Sequence, residues 1–230
     1  MLSTEQIKEK VGYEAAQRVK NGMTIGAGTG STAYWFIQAL GNRIKDGLSC
    51  RAVPTSLKTA QLLLQQNIPV IELNAVNALD LVVDGADELD AQLQLIKGGG
   101  GALLQEKMVA FSASRYIIIA DESKLVENLG RFPLPVEVIP YGYWMVQRRI
   151  ESRFGKIVSL RKNGETPFET DHHNYILDIA FQCIPDPAEV AAFLKTIPGM
   201  VEHGLFLNMA HEAIIGYASG EIKTLQNKTH

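Results

Sequence analysis

Between residues 84 and 107 the chain reads DGADELDAQLQLIKGGGGALLQEK, which brings Asp84, Asp87, Glu88, Lys97, four successive glycines and Glu106 into one short stretch. Carboxylates can carry protons, an ammonium group can stabilise a developing oxyanion, and glycines let backbone approach a ligand closely. Each feature also has a plainer reading. Acidic turns are commonly solvated, a lone Lys97 or Glu106 is usually a surface charge, and a glycine run can be a flexible spacer. Ordering Gly98, Gly99, Gly100 and Gly101 costs roughly 0.5–1 kcal/mol each relative to alanine, and strong structural signals flank the run, which favours a shaped loop over a spacer. On the helix that follows, the spacing predicts a packed face of Leu103, Leu104, Met108 and Phe111, turning Glu106 away from it towards solvent or substrate.

A second glycine-rich motif, GAGTGSTA, covers residues 26–33. With a strand before it and a helix after it, Gly28, Thr29, Gly30, Ser31 and Thr32 would offer N–H groups and hydroxyls to a phosphate at the positive end of the helix dipole. An ordinary strand-to-helix turn with a Ser or Thr N-cap explains the same residues equally well. The spacing is not that of a dinucleotide fingerprint, and no lysine follows the glycines as a P-loop requires. Asp84, Asp87 and Glu88 come directly after the apolar run LDLVV, at the carboxyl edge of a strand, where open α/β sheets bind ligands.

Taken together, a carboxylate base, a cation near a developing enediolate oxygen, further carboxylates for hydroxyl protons and a remote phosphate grip are the parts of an aldose–ketose isomerase. This chemistry calls for no metal. His172 and His173 would diverge on a strand, and His203, His211 and His230 lack ligand spacing, so all five histidines read as structural or surface. Cys50 and Cys183, far apart in sequence, read as reduced thiols in packed positions.

The elements that must position these groups alternate. A capped helix at the N-terminus (Ser3 and Gln6 at capping-box spacing) precedes strand candidates MTIGAG, CRAVP, PVIEL, LDLVVDGAD and YIIIAD, with helices AYWFIQALGNRIK and SLKTAQLLLQQN between them. That order predicts an α/β fold, a Rossmann-like, mostly parallel sheet covered on both faces. From about residue 130 to 205 the pattern becomes PVEVIP, YWMVQRRIESRF, KIVSLRK, NYILDIAF, DPAEVAAFLKTI and VEHGLFL, a βαββαβ order that predicts a smaller ferredoxin-like α+β domain inserted near the C-terminus. Asp186, Pro187 and Glu189 mark the start of its second helix. Residues 1–129 and 206–230 would form the first domain, with AIIGYASGEIKTL returning to it.

At 230 residues, 46% hydrophobic and 20% charged, the chain has the composition of an ordinary globular protein. A net charge of −3 gives no reason to expect nucleic acid or an anionic membrane as partner. The polar start MLSTEQIKEK and the lack of any membrane-length apolar run lead to a cytoplasmic expectation.

GAGTGSTA, VPTS at 53–56, DGADE, IKGGGGALLQEK, ADESK at 120–124 and HGLF at 203–206 occur in the order and approximate spacing of one family, and over nearly its full length the chain resembles type A ribose-5-phosphate isomerase. The resemblance implies interconversion of ribose 5-phosphate and ribulose 5-phosphate through a cis-enediol, without cofactor, in a homodimer or homotetramer. It assigns Glu106 as base and matches Asp84, Asp87 and Lys97 to the remaining polar residues of the active site. It places substrate contacts at Gly28–Thr32, at Gly85 and Ala86 of DGADE, along Gly98–Gly101, and at Lys124, with Lys8 as a further phosphate partner. Two departures stand out: His172-His173 replaces a common Asn-Gly, and Gln105 replaces a common arginine. The alternatives are a coenzyme A transferase, in which acyl-CoA and borohydride would label Glu106, and a phosphosugar-sensing domain, which would need a DNA-binding segment that the lone first helix does not supply.

Overall fold

The computed structural model describes residues 1–227. Helix α1 (Thr4–Ala16) opens with the expected reciprocal cap: Ser3 Oγ accepts the Gln6 N–H at 3.3 Å and the Gln6 side chain accepts the Ser3 N–H at 2.9 Å. Then come β1 (Thr24–Ala27), α2 (Ser31–Lys45), β2 (Arg51–Pro54), α3 (Leu57–Gln65), β3 (Leu81–Asp84), β4 (Glu88–Leu89), β5 (Leu95–Ile96), α4 (Leu103–Phe111) and β6 (Tyr116–Asp121). A smaller lobe holds β7 (Leu134–Val138), α5 (Tyr143–Phe154), β8 (Val158–Leu160), β9 (Lys162–Asn163), β10 (Thr166–Pro167), β11 (Tyr175–Ile179), α6 (Pro187–Leu194) and β12 (Met200–His203). The chain returns through β13 (Leu205–Phe206), β14 (Glu212–Gly216) and β15 (Ile222–Gln226).

The main sheet has the order β15-β14-β6-β3-β1-β2 and is parallel except for β15. Strands β1, β3, β6 and β14 are buried along their whole length, because α1 and α2 pack on one face and α4 on the other. The smaller lobe forms an antiparallel sheet of order β12-β7-β11-β8, the split-βαβ arrangement, closed over its own core of residues such as Leu134, Val136, Ile150, Leu177 and Leu194. A third sheet, β13-β5-β4, joins the lobes. No helix among the described residues is long and apolar enough to cross a membrane.

Three sequence expectations need correction. PVIEL is not a strand: it touches the sheet through a single bridge between Val70 and Ala52, because Pro69 has no N–H to give and a 3-10 turn, Leu73–Ala75, follows at once. VEHGLFL breaks at Gly204 into β12 and β13, which serve different sheets. Cys50 is buried, but Cys183 is exposed, since in the loop between β11 and α6 its neighbours Phe181 and Ile184 turn inward while it faces outward. His230 lies outside the described residues.

Candidate active site

Strand β1 connects through α2 to β2 on one side, whereas β3 lies on the other side of β1. The carboxyl ends of β1 and β3 therefore flank the point where strand order reverses, the place where α/β sheets leave a crevice. A cleft of about 250 Å³ opens there. Its walls include Thr29–Thr32 after β1, Gly85–Asp87 after β3, Lys97–Gly100, Glu106, Lys8 and Lys124.

At its floor the groups form a chain. Lys97 Nζ stands 2.9 Å from Glu106 Oε1 and 3.1 Å from Asp84 Oδ2, and it donates to the Gly85 carbonyl. Lys97 is 2% exposed, Glu106 4% and Asp84 0%. Burial pushes the Glu106 carboxyl up to about 8, with Asp84 adding to the rise and Lys97 opposing it. Burial also raises Asp84, against the pull of Lys97 and of the Gly85 and Thr29 N–H groups that donate to Oδ1 at 2.7 and 3.1 Å. Burial alone would depress Lys97, but the two facing carboxylates hold it well above its ordinary value. The ammonium is thus fixed in the charged form, and Glu106 is a carboxyl group that can gain or lose a proton near neutrality. Asp87, in the wall above, accepts the Gly99 N–H at 2.7 Å.

At the other end, helix α2 begins with Gly30 as N-cap, and no side chain bonds across its first turn. The Ser or Thr cap considered from sequence is not what forms, and the first-turn N–H groups of Ser31 and Thr32 border the cleft. Thr29 turns its hydroxyl away, into a knot with Thr55 at 2.8 Å, Ser56 at 2.8 Å and Thr59 at 3.0 Å that ties α2 to α3. The VPTS segment therefore acts through packing behind the loop. Lys8 Nζ is paired with Glu5 at 2.9 Å.

Among those described, three residues expected at the substrate do not line this cleft: Asp84, Gly101 and Gly28, which lines a neighbouring pocket with Thr29, Gly30 and Ser31. Asp84 is sealed beneath Lys97. Gly28 lies so close to it that a Cβ would sit 2.1 Å from Asp84 Oδ1, so the approach of the two strand ends by itself requires glycine there. Gly101 faces the ring of Phe168. The orientation of α4 also differs from expectation. Its buried side carries Leu103, Glu106, Val109 and Ala110, while Met108 and Phe111 are exposed. Apolar spacing placed Glu106 outward because it could not register an ion pair with Lys97. Thr4, Asp121 and Ser123 line the cleft without having been singled out. Asp121 closes β6 as Asp84 closes β3, a signal at the strand's carboxyl end that could have found it; Thr4 carries no such signal.

The model of the family described as ribose 5-phosphate isomerase A (phosphoriboisomerase A) matches residues 51–220. A ribose-5-phosphate isomerase A of Bacillus mycoides is 53% identical over 215 residues, covering 93% of this chain and 97% of that one. The solved ribose 5-phosphate isomerase A of Methanocaldococcus jannaschii superposes with a TM-score of 0.91 at 42% identity, covering 97% of this chain and 100% of that one. A solved D-ribose-5-phosphate isomerase in complex with phospho-erythronic acid gives a TM-score of 0.94 at 38% identity, covering 98% and 100%. By sequence along most of its length, and by fold, the chain belongs to the ribose 5-phosphate isomerase A family.

Proposed function

We propose that the chain interconverts ribose 5-phosphate and ribulose 5-phosphate through a cis-enediol, with Glu106 as the base. The observation that carries this reading is the buried Glu106–Lys97 contact at 2.9 Å on the floor of a cleft. In open-chain ribose 5-phosphate the C2 proton passes to the Glu106 carboxylate, the electron pair forms the C1–C2 double bond, and the C1 oxygen gains a proton. Return of the proton from Glu106 to C1, with loss of the proton on the C2 oxygen, leaves the ketose. Lys97 keeps a full positive charge beside the oxygens as they become negative, in a site where little water competes. Asp84 touches no substrate in this scheme and acts as the counter-charge that fixes Lys97. Asp87 exchanges protons with the sugar hydroxyls during ring opening and transfer. The phosphate rests against the first-turn N–H groups of α2, with Lys8 and Lys124 as flanking cations. The phosphorylated sugar acid bound by a relative of the same fold supports a phosphosugar in this cleft.

The test is to mix purified protein with ribose 5-phosphate, a chelator and no cofactor, and to follow ketose formation. Glu106→Gln should lower turnover by about 10²–10⁴-fold with substrate affinity nearly unchanged. Wild-type turnover in that variant would remove Glu106 from the reaction. Self-association as a dimer or tetramer belongs to the same reading and is supported by exposed apolar side chains at Ile139, Tyr141, Trp144 and Met145. Sedimentation velocity decides it, and a monomer at assay concentration would count against it.

A further inference from the structure

The glycine loop is held from two sides, and only one of them belongs to the cleft. From the small lobe, Arg161 Nη1 donates to the carbonyls of Gly98 at 2.8 Å and Gly99 at 3.1 Å. The rest of its guanidinium is committed to Asp178 on β11, with Nε to Oδ2 at 2.8 Å and Nη2 to Oδ1 at 2.5 Å. The backbone of Arg161 is pinned as well: its N–H donates to Ile176 O at 2.8 Å and its carbonyl accepts from Phe168 N–H at 2.9 Å. Arg161 and Asp178 are largely buried, with side chains 15% and 22% exposed. The arrangement needs a planar fork, because one edge grips a carboxylate while another nitrogen reaches two carbonyls, and an ammonium point charge cannot satisfy both.

The Gly98 carbonyl and the Gly99 N–H belong to one trans peptide plane and point in opposite directions. Arg161 binds the carbonyl end of that plane, and Asp87 Oδ2 accepts the N–H end at 2.7 Å. With a glycine on each side, no Cβ resists rotation of the plane. We propose that Arg161 is a positioning residue for the isomerisation, locking the Gly98–Gly99 peptide so that its N–H holds Asp87 in the cleft. The inference rests on the proposed role of Asp87 towards substrate, and it makes the small lobe part of the catalytic apparatus through one side chain.

The test combines kinetics with amide exchange on Arg161→Ala, Arg161→Lys and Asp178→Asn, the last two serving if the alanine variant fails to fold. Arg161→Ala should lower kcat/KM for ribose 5-phosphate by about 100-fold, chiefly in kcat, with little recovery in Arg161→Lys and partial recovery on adding millimolar guanidinium ion. In an Asp87→Ala background the same change should cost almost nothing further, since its target is already gone. The Gly99 amide should exchange about tenfold faster in every variant that frees the peptide. Equal losses in the wild-type and Asp87→Ala backgrounds, wild-type kinetics in Arg161→Ala, or unchanged Gly99 exchange would each overturn the inference. A wild-type protein inactive on ribose 5-phosphate would instead sink the functional reading, and the exchange measurement would still decide whether the peptide is locked.

Discussion

A carboxyl group with a pKa of about 8 holds its proton at pH 7 in roughly nine molecules of ten, so Glu106 begins mostly in the acid form and must ionise to act as base. For the free enzyme, kcat/KM should therefore rise with pH and level off above about 8, which a pH–rate profile will show. The same shift acts on stability. The folded value lies above the ordinary 4.5, so the folded state binds the extra proton, and this contribution to stability is complete below about 4.5 and lost as pH climbs through about 8. Glu106→Gln removes that loss. The variant should unfold at the same temperature as wild type near pH 4 and at a higher one at pH 9, and a pH-independent gap between the two melting curves would contradict the assignment. Of the residues themselves, Asp87, Lys97 and the Gly30–Thr32 turn stood out by type and spacing and do line the cleft, whereas Glu106 was only permitted by spacing and its burial against Lys97 was not foreseen. The concealment of Asp84 was not legible either, because nothing in DGADE tells which acid a lysine farther along the chain will cover.

At the scale of the element, the glycine loop is the least forgiving part of the cleft. A Cβ on Gly99 would stand 2.5 Å from Asp87 Oδ1. The carboxylate can swing aside, so Gly99→Ala should fold, yet the movement misplaces a group that meets substrate in the proposed reaction. Steady-state kinetics should show kcat/KM reduced by about 10–100-fold with the melting temperature little changed; a reversed pattern would mean that Asp87 is structural. Helices with local signals were readable in advance. In α6, Asp186 caps the Glu189 N–H at 2.9 Å and Pro187 occupies the first turn. Helix α4 was not readable in orientation, since its buried face is set by a partner on another element. The turn at His172-His173 forms without glycine: the His173 N–H donates to Thr170 O at 2.9 Å and His173 takes the left-handed conformation at φ +59°.

In the molecule as a whole, the small lobe touches the main one at more than the glycine loop. Asp171 Oδ2 accepts the Leu57 N–H at 2.8 Å, adding a cross-lobe partner to the start of α3 beside its own cap, Ser56. Asp171→Ala should cost about 1 kcal/mol and lower the unfolding midpoint by about 2–4 °C, with turnover at 25 °C preserved. A calorimetric scan showing no shift would make the contact incidental. The alternation of elements and the βαββαβ run made both lobes legible from sequence, but the seam between them was not, because it is built from pairs far apart in the chain, 63 residues for Arg161–Gly98 and 114 for Asp171–Leu57. Gly204 is the clearest case. Its carbonyl accepts the Lys97 N–H at 2.9 Å, its own N–H donates to Pro135 O at 2.7 Å, Leu205 packs into the small-lobe core, and Phe206 packs against the main sheet. A nascent chain halted before Gly204 carries every group named in the proposed proton transfer, yet lacks the β13 partner of β5 and the β14 neighbour of β6. Until residues 205–216 join, an uncapped ledge of buried-type strand is open to the wrong chain.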